Sequence, residues 1–103
     1  MPNGYDKNWV RFCAVVDGFR LRFGRWPTVA RLDPLCLDDL RKHLFSPDSF
    51  SVLEEKIQFT AEPDCFEVAD GEGRRYSYWE EGFPDRRPEV TAHRWLGVTP
   101  DLH

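Results

Sequence analysis

The chain has 103 residues, of which 41% are hydrophobic and 31% charged, and a formal net charge of −4. That length fills one domain and leaves no room for a second, the hydrophobic share excludes a chain disordered throughout, and the acidic balance argues against a broad phosphate-binding footprint. No apolar run approaches the roughly 20 residues that cross a bilayer. The N-terminal MPNGYDKNW carries neither the charged region nor the apolar core of a signal peptide, so a cytoplasmic location without membrane attachment is expected.

The charge is polarised along the chain. Lys7, Arg11, Arg20, Arg22, Arg25 and Arg31 face only Asp17 in the first third, whereas Asp48, Glu54, Glu55, Glu62, Asp64, Glu67, Asp70 and Glu72 face only Lys56 later on. Such a split either orients a partner or lets the two halves attract each other in the folded state.

A first helix is expected from Tyr5 to Phe23. Trp9, Phe12, Cys13, Val16, Phe19 and Phe23 repeat at helical spacing, and Lys7, Arg11, Asp17, Arg20 and Arg22 fall mostly off that stripe. Asn3 or Asp6 is placed to cap its start and Gly24 to end it in a left-handed conformation. Gly18, in the interior, is a weakness of about 1 kcal/mol against alanine and marks close approach of a neighbouring element.

Thr28 to Leu32, bounded by Pro27 and Asp33-Pro34, is too short for a helix and reads as a strand. Asp33-Pro34 and Ser46-Pro47 each pair a capping side chain with a proline suited to the first helical position, which predicts a helix ending near Phe45 and another carrying Phe50, Leu53 and Ile57. Ile57 and Phe59, Phe66 and Val68, and Tyr76 and Tyr78 then alternate with polar residues, the period of strands with one buried face. Turns at Ala61-Glu62-Pro63-Asp64 and Asp70-Gly71-Glu72-Gly73 join these runs into an expected antiparallel meander, with Thr28–Leu32 pairing parallel to the strand at Ile57 beside it. The expected fold is α+β in two layers: a small, mainly antiparallel sheet in the order α-β-α-α-β-β-β, covered on one face by one long and two short helices. Residues 1–83 form the domain, and 84–103 a C-terminal extension. Within that extension Pro88 and Gly97 bracket a short helix, Glu89 to Leu96, which docks on the domain, docks on a partner, or is disordered.

Cys13, Cys36, Cys65, His43, His93 and His103 lack the paired spacing of a zinc site, and no nucleophile-base grouping or phosphate-binding loop is evident, so neither an enzyme nor a cofactor is expected. The odd, widely spaced cysteines oppose a disulfide framework. The expected function is a small non-enzymatic interaction or regulatory module with a protein partner. Its candidate surface is Tyr76, Tyr78, Trp79, Arg74, Arg75, Trp95 and Arg20, the residue types in which binding energy concentrates. An open terminal strand there would pair with a second copy as a homodimer or accept a partner's strand. The alternative is a winged-helix DNA-binding regulator with Arg74-Arg75 in the wing, opposed by Asp48, Glu54 and Glu55 on the helix that would enter the groove.

Overall fold

A computed structural model describes residues 7–78 and 92–98. They form an α+β fold in which helix α1 (Lys7–Phe23), strand β1 (Val29–Leu32), helices α2 (Pro34–Asp38) and α3 (Pro47–Glu54), strands β2 (Gln58–Ala61), β3 (Phe66–Ala69) and β4 (Arg75–Ser77), and helix α4 (Ala92–Leu96) follow in that order. The expected helix cap residues Asn3 and Asp6, the strand-end Trp79, and the boundary at 83 and 84 lie outside the described residues.

Local signals place the helix ends. The Asp33 carboxylate accepts from the Leu35 amide at 3.0 Å with Pro34 in the first turn, and the Ser46 hydroxyl accepts from the Ser49 amide at 3.2 Å with Pro47 following. Gly24 ends α1 at φ 72°, its amide donating to the Arg20 carbonyl at 2.8 Å. Beyond α2 the chain widens into a π-helical turn, Asp39–Leu44, closed by Phe45 N–H donating to Leu40 O at 3.0 Å.

The sheet order is β2-β1-β3-β4. β1 pairs parallel with β2, as the sequence predicts, but it lies inside the sheet, antiparallel to β3, and not beside a meander. Among the described residues only β3 and β4 form a hairpin. The turn at Pro63-Asp64 instead carries the chain over the end of β1: Glu62 N–H donates to Leu32 O at 2.8 Å, Asp33 N–H to Cys65 O at 2.6 Å, and Asp64 N–H to the Asp33 carboxylate at 3.1 Å. Asp33 therefore caps α2 and anchors this crossing together.

Phe59, Ala30, Val68 and Tyr76 form one cross-strand row on the helix-covered face, and Leu32 pairs with Phe66 in the next. On the opposite face Glu67, only 8% exposed, holds Arg31 at 3.0 Å and Arg75 at 3.5 Å, tying β1, β3 and β4 together. Arg31 also reaches Glu62 at 3.7 Å and Arg25 reaches Glu72 at 3.6 Å. Part of the charge polarity of the chain is thus spent between its own halves.

The first helix is more deeply buried than an amphipathic stripe implies. Every residue from Phe12 to Phe19 is buried, because α1 has the sheet on one side and α4 on the other. Gly18 is the contact point with β4: a Cβ there would lie within 2.8 Å of three ring carbons of Tyr76. Gly18→Ala gains about 1 kcal/mol of helix propensity yet must displace that ring, and overpacking of this kind costs roughly 1–3 kcal/mol. We expect a net loss of stability in urea denaturation, partly relieved when Tyr76→Leu is added; a Gly18→Ala protein more stable than the parent would contradict this contact.

Candidate functional site

Six of the seven candidate residues lie among the described residues, and they separate into four places. Tyr76 is 5% exposed beneath α1, with the Arg22 guanidinium 5.0 Å from its ring centroid, so its ring belongs to the core and offers no free face. Tyr78 is half-buried, 5.7 Å from the Phe66 ring, with Arg11 5.4 Å from its centroid. Arg11, Gly18 and Arg22 share one stripe of α1, so that helix closes over β4 with arginines on either side of the glycine contact. Trp79 lies outside the described residues.

Arg74 belongs to the β3–β4 turn, paired with Asp70 at 3.1 Å and with Glu72. Asp70 also accepts from the Glu72 and Arg74 amides at 2.9 and 3.2 Å. Burial pushes its carboxyl upward, but those amides and the Arg74 guanidinium outweigh burial and hold it below the ordinary aspartate range. Arg75 lies on the outer sheet face against Glu67.

Arg20 and Trp95 are the two candidates that the fold brings together, and it adds two residues the sequence pattern did not single out for this surface. Trp26 and Trp95 stack with ring centroids 4.5 Å apart and planes 3° from parallel. The Arg20 guanidinium lies 5.2 Å from the Trp26 centroid, and the Lys56 ammonium lies 5.6 Å from that of Trp95 while also donating to the Trp95 carbonyl. The result is a set of two cations and two indoles, the indoles half-buried and both cations exposed. A stacked aromatic pair contributes roughly 0.5–1.5 kcal/mol beyond its burial, and an exposed cation on a ring roughly 0.5–1 kcal/mol.

Three elements position this cluster. Arg20 is in the last turn of α1 and donates to Gly24 O at 2.5 Å, Trp26 follows in the loop to β1, and Lys56 follows α3. Trp95 is delivered by α4, a helix of five residues that cannot persist alone in water. It is held by burial of Ala92 and Leu96 and by the Asp17 carboxylate, which accepts from the Ala92 amide at 3.0 Å. Asp17, expected off the buried stripe, is 4% exposed: from α1 it supplies an acceptor for the first amide of α4. Trp26 could have been suspected from Gly24-Arg25-Trp26-Pro27, a large ring in a turn outside any periodic element, and Lys56 from its isolation in an acidic stretch.

Other groups offer less chemistry. A shallow groove of about 580 Å³ runs beside the π-helical turn, lined by Arg41, Lys42, Phe45, Ser46, Pro47, Phe50, Ser51 and Glu54. Its cations are engaged, Arg41 with the Phe50 ring at 5.4 Å and Lys42 with Asp38 at 3.7 Å. Burial, then Asp17, pushes the Cys13 thiol up; burial, then nearby carboxylates, does the same at Cys36 and Cys65, so these thiols stay protonated near neutrality. Among the described residues no group of three or more His, Cys, Asp or Glu could hold a metal ion, and no helix is long and apolar enough to cross a membrane.

Two outcomes follow from this geometry. Asp17→Ala removes the cap of α4 and should cost about 1–2 kcal/mol, read as faster amide exchange at Leu96 and altered Trp95 fluorescence, whereas Asp17→Asn keeps an acceptor and most of the docking. Because the Asp70 carboxyl binds its proton more weakly when folded, its stabilising effect is complete above the unfolded aspartate value and fades as pH falls through the lower folded one. Amide protection of the β3–β4 hairpin should fall over that acidic window, and Asp70→Asn should flatten the dependence. Searches of protein-family models, curated proteins and solved structures gave no match to this chain.

Proposed function

We propose that the protein is a small non-enzymatic interaction or regulatory module whose partner-facing surface is the Arg20–Trp26–Trp95–Lys56 cluster. The observation that carries this reading is the parallel stack of two half-buried tryptophans between two exposed cations. Tryptophan and arginine are enriched where interfaces concentrate their binding energy, because large rings desolvate well and a guanidinium pairs with both carboxylates and ring faces. With the inner ring faces stacked together, a partner meets indole edges and cationic heads. That suits a protein segment presenting carboxylates around an apolar side chain.

The cytoplasmic location belongs to the same reading and is supported by three free cysteines, which suit a reducing compartment. For the DNA-binding alternative, the β3–β4 turn would have to approach phosphates with Asp70 and Glu72 already occupying Arg74, which gives that reading little support.

An array of acidic peptides carrying leucine or phenylalanine, titrated against tryptophan fluorescence, tests the module. Binding should weaken about tenfold or more in the double variant Arg20→Glu, Lys56→Glu, and should survive Arg75→Gln on the far face of the sheet. Equal binding by the charge-reversed protein, or no binding of any acidic sequence by the parent, overturns the reading.

A further inference from the structure

Strand β2 lies at one edge of the sheet, and among the described residues only β1 pairs with it. The amides of Gln58 and Glu62 donate inward, to Thr28 O at 2.9 Å and Leu32 O at 2.8 Å. Alternation along an extended strand therefore turns the N–H and C=O of Phe59 and Ala61 away from β1. Gln58, Thr60 and Ala61 are exposed and Phe59 is half-buried. Sheet edges are ordinarily blunted by charge, proline or a bulge. Gln58–Ala61 has an unbroken register with β1 and contains neither charge nor proline, Pro63 coming only after the strand.

We propose that this edge pairs with the same edge of a second copy of the chain, antiparallel about a two-fold axis through Thr60. The charge pattern selects the occupant and its direction. Lys56 precedes the strand, and Glu62 and Asp64 follow it. An antiparallel copy sets Lys56 opposite Asp64 at both ends, whereas a parallel copy aligns like charges.

Hydrogen bonding selects the register. Centred on Thr60, each Phe59 faces an Ala61 of the other copy, and every outward donor and acceptor of these two residues is satisfied. The same alignment places a phenyl ring beside a methyl group and one threonine against another, a favourable cross-strand pair. Centring on Phe59 instead would require the Ile57 amide, which already donates to Leu53 O at 3.0 Å, and would set two phenyl rings against each other. So short a seam makes a weak, concentration-dependent dimer; it shares Lys56 with the tryptophan cluster, but its backbone pairing at Phe59 and Ala61 uses no residue of that cluster.

Sedimentation velocity of the full chain from micromolar to millimolar concentration, together with amide exchange over the same range, tests this. The parent should pass from monomer to dimer, with the Phe59 and Ala61 amides gaining protection as it does. Thr60→Lys puts two ammonium groups face to face on an exposed position and should weaken association about tenfold, with an unchanged circular dichroism spectrum. Thr60→Val should still associate. A parent that stays monomeric to millimolar, or a dimer in which Phe59 and Ala61 gain no protection, overturns the proposal; the exchange result stands whether or not Thr60→Lys folds.

Discussion

The fold turns on how closely α1 can approach β4. Tyr76 stands on the edge-side strand of the sheet and its ring occupies the space that a side chain at position 18 would need. Only glycine permits that approach, and the approach brings Arg11 and Arg22 over Tyr78 and Tyr76. The gain is dispersion contact along the whole seam, with cation–ring attraction at two points, set against a helix-propensity cost of about 1 kcal/mol. Adjacent helix positions diverge by about 100°, so Asp17 points away from the sheet while Gly18 faces it. One residue serves the sheet and its neighbour serves α4, which explains why α1 is buried all round between Phe12 and Phe19.

The aromatic and arginine residues of this chain have two distinct uses. Tyr76 and Tyr78 are consumed in holding α1 to the sheet, and their rings meet the guanidinium groups of Arg22 and Arg11. Those at the far end of α1 form the Trp26–Trp95 stack, where the rings are only half-buried and the cations stay in water. Composition alone cannot separate the two uses, since a ring covered by an arginine in the core and a ring offered to a partner are the same residue types. Lys56 links the proposed surfaces, because it binds the Trp95 carbonyl and lies two residues before the start of β2.

Charge follows the same division. The basic start and acidic middle of the chain meet in the pairs Arg25–Glu72, Arg31–Glu62 and Arg31–Glu67. Arg25–Glu72 and Arg31–Glu62 are exposed pairs, each worth about 0–1 kcal/mol, so their role is chiefly to align elements already placed by burial, whereas Arg31–Glu67 involves a carboxylate largely withdrawn from water. Arg20 and Lys56 instead meet indole rings, and that leaves a local basic rim on a protein of negative net charge.

The sequence by itself determined what depends on neighbours a few residues away. Asp33-Pro34 and Ser46-Pro47 start helices, Gly24 and Gly97 follow their ends at positive φ, and the period-two runs fix which side chains face the helices, because caps, dihedrals and side-chain alternation are local. Even the close approach at Gly18 was legible, as a glycine that a helix would otherwise avoid. Which strand lies beside which was not, since alternation names a face and not a neighbour. Only the folded chain put β1 between β2 and β3, through bonds from Asp33 to residues about thirty positions away. The burial of Asp17 and the meeting of Trp26 with Trp95 belong to the same class: each is created by a contact across some seventy residues, and no local preference in either segment specifies it.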